Sequence, residues 1–238
     1  MKLIRREIPF FSLLALCLLC WLAFLKFCSE VMEGESHGID QAIVLFIRDH
    51  TVPEQLMGHP WFAEMMRDIS GLGGIAVLTL VTLAVTAYLA IRKNWGQAVY
   101  VLVAVVTGSL FSNLLKIGFD RPRPDIIPHG SYTVLPGFPS GHSLISAIVY
   151  LTLGAMVTTA HKGYWMRIYL MSVPVIITFL IGISRIYLGV HWPSDVLAGW
   201  LGGSAWASMV WILYRHANRT FWARLRYGDS TVKSEHDF

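Results

Sequence analysis

The chain has 238 residues, of which 55% are hydrophobic and 14% charged, with a formal net charge of +4 and a mean hydropathy of +0.54. A soluble domain of this size needs far more polar surface, so the composition selects an integral membrane protein. Outside the C-terminal tail no stretch interleaves basic and aromatic residues, which argues against a nucleic-acid partner.

Along the chain, six runs of 17 to 23 residues contain no Asp, Glu, Lys or Arg: 8–25, 69–91, 94–115, 143–160, 168–184 and 196–214. Each matches the ~20 residues that cross hydrocarbon as a helix. The expectation is an all-α polytopic membrane protein, one domain over 1–238, with six transmembrane helices. Lys2, Arg5 and Arg6 before the first run resemble the start of a secretory signal. No small-x-small cleavage site follows, and Lys26-Phe27-Cys28 is poor context for one, so the run is expected to remain as a span. Cys17, Cys20 and Cys28 lie in or at the end of it. The Cys-x2-Cys pair would suggest metal or redox chemistry in a soluble protein, but in a lipid-spanning run Cys behaves as a small hydrophobe.

The region 29–68 carries Glu30, Glu33, Glu35 and Asp40, then an apolar piece at 42–47, then Trp61 and Phe62. That piece is too short to span, so it predicts an interfacial helix over the outer mouth, between the first and second transmembrane helices. Gly71, Gly73 and Gly74 open the second span and suit a close helix approach or a tight turn.

Twelve of the 19 basic residues fall on one side of a six-span arrangement: Lys2, Arg5, Arg6, Arg92, Lys93, Lys162, Arg167, Arg215, Arg219, Arg224, Arg226 and Lys233. Cytoplasmic ends are rich in Lys and Arg, so both termini are expected inside, in a bacterial inner or plasma membrane. The tail 215–238 would then be cytoplasmic, its basic residues touching anionic headgroups and 229–238 disordered.

Three blocks at the edges of apolar runs lie on the opposite, outer side. Lys116 is read as following the third span directly, with Arg123-Pro124 seven residues later in a loop stiffened by Pro122 and Pro124. Charges at this depth are costly unless they bind an anion or snorkel to the interface. Arg121 and Arg123 would share a face if that loop is extended.

Pro139-Ser140-Gly141-His142 leads into the fourth span. Ser140 can cap the helix, Gly141 lets backbone approach a ligand, and the helix N-terminus favours anions. His142 can exchange a proton near neutral pH. A plain N-cap beside a headgroup-level histidine would look the same.

Ser184-Arg185 ends the fifth span, and His191-Trp192-Pro193-Ser194-Asp195 starts the sixth. A His and an Asp four apart at a helix start can come within hydrogen-bond reach, where the carboxylate fixes the histidine tautomer. A solvated interfacial pair would share that spacing. Trp192 is expected at the headgroup belt.

Each residue type occurs at roughly 5% per position, so eleven specified positions in order exceed chance. The blocks, Lys-x6-Arg-Pro, Pro-Ser-Gly-His and Ser-Arg-x5-His-x3-Asp, resemble the signature of the type 2 phosphatidic acid phosphatase (PAP2) superfamily at every position over 116–195. The resemblance implies that His142 protonates the leaving oxygen and that His191 attacks phosphorus to give phosphohistidine, oriented by Asp195. It implies that Lys116, Arg123, Arg185, Ser140 and the Gly141 N–H bind the phosphoryl oxygens. Three cations facing a phosphate dianion fit phosphoryl transfer, which depends on positioning and preorganised positive charge. With no carboxylate cluster or His/Cys ligand set there, neither a metal nor another cofactor is expected.

The expected substrate is a membrane lipid phosphate. Phosphatidic acid, phosphatidylglycerol phosphate, undecaprenyl diphosphate and a lipid A phosphate all suit the site. Selection among them would fall to 29–68 and 125–138. A lipid phosphotransferase would need the same eleven residues. Six spans argue against a soluble vanadium haloperoxidase, and a lipid-binding scaffold would not need His191. The sequence is silent on oligomeric state.

Overall fold

The computed structural model describes residues 2–47, 59–119, 121–124 and 136–231, with side chains described between 11 and 218. Among the described residues eight helices follow in order: α1 Lys2–Met32, α2 His37–Phe46, α3 Pro60–Gly71, α4 Ile75–Ile91, α5 Trp95–Phe119, α6 Gly141–Thr159, α7 Tyr164–Tyr187 and α8 Pro193–Thr231. No strand occurs among the described residues. The protein is all-α and spans a membrane. Among the described residues five helices are long and apolar enough to cross: Phe11–Met32 of α1, α5, α6, α7, and Pro193–Asn218 of α8.

The second expected span differs in form. The run 69–91 is not one helix but the bent pair α3 and α4, which meet at 44° across a short break and would make a sixth crossing together. Hydropathy does not register this break, because Gly71, Leu72, Gly73 and Gly74 are apolar or neutral. Each glycine nonetheless costs roughly 1 kcal/mol against Ala in a helix. Packing completes the reason: a Cβ on Gly73 would lie 2.5 Å from the Ile181 side chain and 3.4 Å from that of His142.

A short helix does stand between the first and second spans. In α2, Asp40 and Val44 are buried, whereas Ile39 and Phe46 are 69% and 74% exposed. The apolar stripe therefore faces away from the protein, as an interfacial helix requires. Four further readings change. Lys116 lies inside α5, in its last turn, and does not follow the helix. The first helix runs on to Met32. The last helix continues through 215–231, because residues such as Ala223, Arg224 and Leu225 favour helix. Trp192, placed by sequence at the headgroup belt, is instead buried (7% exposed). The stretches 48–58, 125–135 and 232–238 lie outside the described residues, so the readings made of them stay with the sequence.

The central helix is α6, which packs against α5, α7 and α8, while α1 lies along α8. The α6–α8 crossing sets the site. Gly199 and Gly203 form a Gly-x3-Gly pair on α8, the small-residue pattern of close membrane helix contacts. A Cβ on Gly199 would come within 2.9 Å of the Ser140 carbonyl oxygen, and one on Gly203 within 2.5 Å of the Leu144 carbonyl oxygen. Asp195 is one turn before Gly199, so this crossing brings the third block against the second. A backbone hydrogen bond from the Ser140 N–H to the Asp195 carbonyl, 3.0 Å, ties them.

Candidate active site

All three blocks meet at one end of α5, α6, α7 and α8. Ser140 is the N-cap of α6 and its hydroxyl accepts from the Ser143 N–H at 3.5 Å. Gly141 follows, and a Cβ there would stand 3.0 Å from Lys116 Nζ. The Lys116 ammonium therefore lies against the α6 N-terminus, where unpaired N–H groups and the helix dipole already favour an anion. His142, in the same first turn, feels the charges of Arg185, His191, Lys116 and Arg123.

Arg185 is in the last turn of α7, with Nη1 donating to Ser70 Oγ of α3 at 2.8 Å. Its Nε is buried without a partner. Arg123 donates from Nη1 to the Val190 carbonyl at 3.4 Å. Burial pushes the Arg123 guanidinium down from its ordinary pKa, and the Asp195 carboxylate opposes this. Three cations thus converge on the α6 N-terminus from α5, α7 and the loop between α5 and α6.

His191 sits just before α8 and is 2% exposed. Its Nδ1 lies 3.5 Å from Asp195 Oδ2, longer than a well-formed hydrogen bond, and no aligned bond reaches that atom. Burial pulls the imidazole down to about 4, against the opposing charge of Asp195 and with help from Arg185 and Arg123. The ring is therefore neutral at pH 7, with Nδ1 turned to the carboxylate.

The local sequence dictates the Asp195 position. Pro193 occupies the first position of α8, where its missing N–H costs nothing. Asp195, two residues on, reaches back so that Oδ2 accepts the Trp192 N–H at 2.9 Å, half of a capping box. The other oxygen, Oδ1, accepts from Arg121 Nη1 at 2.6 Å. Trp192 is held inside by its Nε1 donating to the Pro122 carbonyl, 3.2 Å, and by an edge contact with His37 at 5.4 Å.

The structure thus brings Lys116, Arg123, Ser140, Gly141, His142, Arg185, His191 and Asp195 to one place. Sequence reasoning missed four neighbours. Asp40, 2% exposed on α2, receives Arg121 Nη2 at 2.8 Å and the Ser194 N–H at 2.9 Å. Ser194 itself bonds Arg121. Ser70 anchors Arg185. Ser112, one turn before Lys116, has a buried hydroxyl with no partner, 4.0 Å from where a Gly141 Cβ would stand. Only Ser112 carried a sequence signal, its i,i+4 spacing to Lys116 on one helix face. Among the described residues no group of three or more His, Cys, Asp or Glu gathers as metal ligands do.

The PAP2 superfamily pattern matches residues 97–219. Phosphatidylglycerophosphatase B of Bacillus subtilis is 33% identical over 187 residues, which cover 75% of this chain and 85% of that protein. An undecaprenyl-diphosphatase of Sulfolobus acidocaldarius is 32% identical over 136 residues, 55% of this chain and 61% of that one. The crystal structure of the transmembrane PAP2 type phosphatidylglycerolphosphate phosphatase from Bacillus subtilis aligns with a TM-score of 0.70 at 28% identity, covering 82% and 93% of the two chains. Fold and site together define an integral membrane phosphatase. The chain belongs to the PAP2 superfamily.

Proposed function

We propose that this protein hydrolyses the phosphate ester or anhydride of a membrane lipid at the outer membrane face, through a phosphohistidine on His191. The observation that carries the reading is the convergence of Lys116, Arg123 and Arg185 on the α6 N-terminus, with His142 and His191 both beside it. Because Nδ1 of His191 faces Asp195, Nε2 is the attacking atom. As the Nε2–P bond forms, the P–O bond to the lipid breaks and His142 gives its proton to the departing oxygen. Water then attacks phosphorus, His142 takes the water's proton, and inorganic phosphate leaves as the N–P bond breaks. Asp195 supports the positive charge that the ring carries while it is phosphorylated. The cations, the Ser140 hydroxyl and the Gly141 N–H hold the phosphoryl oxygens as charge spreads over them.

Relatives named for phosphatidylglycerophosphate and undecaprenyl diphosphate support a lipid phosphate as substrate. The bias of basic residues to the opposite side supports an outward-facing site. The decisive experiment is phosphate release by the purified protein from phosphatidic acid, phosphatidylglycerol phosphate, undecaprenyl diphosphate and a lipid A phosphate in mixed micelles, with and without acceptor lipid. Release from at least one without acceptor, inhibited by vanadate and indifferent to chelator, is expected. Turnover that needs the acceptor would make the protein a phosphotransferase, and loss of activity on chelation would overturn the metal-free reading.

A further inference from the structure

Asp40 lies 155 residues before Asp195 and on a helix the three blocks do not include, yet the two carboxylates share one guanidinium. Arg121 Nη2 donates to Asp40 at 2.8 Å and Nη1 to Asp195 at 2.6 Å. Nη1 also reaches Ser194 Oγ at 2.7 Å, and that hydroxyl donates to Asp40 Oδ2. The second Asp40 oxygen accepts the Ser194 N–H at 2.9 Å. Ser194 is the second residue of α8, so its N–H is one of the donors a helix start leaves unpaired. A residue of α2 therefore caps α8 across space. Both carboxylates are almost wholly buried, at 2% and 0% exposure.

We propose that Asp40 is a positioning residue for the reaction: with Ser194 it clamps Arg121 onto Asp195 and so fixes the carboxylate that faces His191. The inference rests on the reading of His191 as nucleophile. Asp195 uses Oδ2 for both the Trp192 N–H and His191, so the plane of the carboxylate depends also on what holds Oδ1 from outside α8. A guanidinium on Oδ1 sets that plane, as partners behind a metal or catalytic ligand commonly do. Arg121 can serve only if something else holds it, since three other cations stand ready for the phosphate beside it. Asp40 supplies that hold and balances the charge. Both terminal nitrogens of Arg121 are thereby engaged by carboxylates. The other face of α2 is the exposed apolar stripe of Ile39, Ile43 and Phe46, so one short helix joins the lipid-facing surface to Asp195.

The test compares the full-length wild type with Asp40→Asn, Asp40→Glu, Asp195→Asn and the Asp40→Asn/Asp195→Asn pair, using phosphatidic acid in mixed micelles. Rates are corrected for folded protein by size exclusion and thermal midpoint. Asp40→Asn is expected to lower kcat by about 10-fold or more with KM within about twofold, and Asp40→Glu to regain part of it. On the Asp195→Asn background the same change should cost less than about twofold, because residues acting through one partner are not additive. A residue that only stabilises the fold would shift the thermal midpoint and leave both corrected numbers alone. Unchanged kcat in Asp40→Asn, or full additivity in the pair, overturns the proposal. If Asp40→Asn is not recovered folded, Ser194→Ala carries the same test, with about a threefold fall in kcat expected and no fall overturning it. A fully active His191→Ala would instead sink the nucleophile reading, whatever Asp40 does.

Discussion

At the end of the bundle that carries the three blocks, four guanidinium and ammonium groups, two carboxylates and two histidines share one small volume. Deeper between α4, α5, α6 and α8 the contacts are aliphatic and aromatic: Leu89, Val101, Ala104, Leu144 and Ile148 are buried together. Phe111 stacks on Trp206 at 4.7 Å and Tyr100 on Tyr214 at 4.8 Å. The first region is held by charge and capping bonds between distant segments, leaves Arg185 Nε without a hydrogen bond and holds His191 Nδ1 only by a long 3.5 Å approach to Asp195. The second is held by shape. Cations packed this closely repel one another, so the charged end is a place where cohesion gives way to readiness for an anion.

Removing the proposed nucleophile tests the division most severely. His191→Ala should lower kcat by more than about 10⁴-fold while the thermal midpoint stays the same or rises, since a buried imidazole with a long contact contributes little cohesion. Phosphate release and a thermal shift on the same preparation check this, and a large loss of stability would show that the two regions are not separable. Arg185→Ala should follow, with kcat/KM down by about 10²- to 10³-fold. Most of the loss should lie in kcat if the guanidinium meets charge that develops in the transition state. If KM alone rises, Arg185 binds substrate and transition state equally.

Proton affinity offers a milder probe of the same burial. The His191 pKa lies near 4, below its ordinary 6.5, chiefly because the ring is buried. If His191 is the nucleophile, protonation removes it, so the limb that His191 sets in kcat/KM is an acidic one near pH 4, with about a tenfold loss per unit below it. The sign for stability agrees: between about pH 6.5 and 4 the unfolded chain takes up a proton that the folded chain refuses, so stability falls as pH drops through that window. A His191 limb near 6.5 would mean that the ring is solvated and the end more open than it packs.

How much of this was legible in the sequence follows the same division. Lys116, Arg123, Ser140, Gly141, His142, Arg185, His191 and Asp195 were readable because each block is local and charged residues stand out beside apolar runs. The membrane character and the helical runs were readable from hydropathy alone. Asp40 was not, since it joins Arg121 and Ser194 only through the fold. Its helix also hides it, with the acid buried and the isoleucines exposed, the reverse of a soluble amphipathic helix. The α3–α4 break was invisible to hydropathy, and Trp192 was misplaced because an aromatic at a span boundary usually meets lipid. The Gly199-x3-Gly203 pair was passed over in the sequence, and its partner surface, the first turn of α6, shows only in the fold.

The smallest predicted effect addresses the apolar half directly. Gly108 lies where a Cβ would stand 2.3 Å from Ile148 Cδ1 and 3.3 Å from Trp206 Cδ1. Gly108→Ala should therefore destabilise by about 1–3 kcal/mol, the usual cost of overpacking, and lower the thermal midpoint in detergent. Ile148→Val removes the Cδ1 atom in the tighter contact and alone costs about 0.5–1.5 kcal/mol. The double variant should be more stable than the sum of the two predicts, because one change makes the room that the other needs. Throughout the series kcat per folded molecule should stay within about twofold, since Ile148 lies more than a turn from His142 along α6. If the double variant regains its stability but not its kcat, packing between α5 and α6 reaches the catalytic end. The Lys116–Gly141 approach would then be the contact through which it does so.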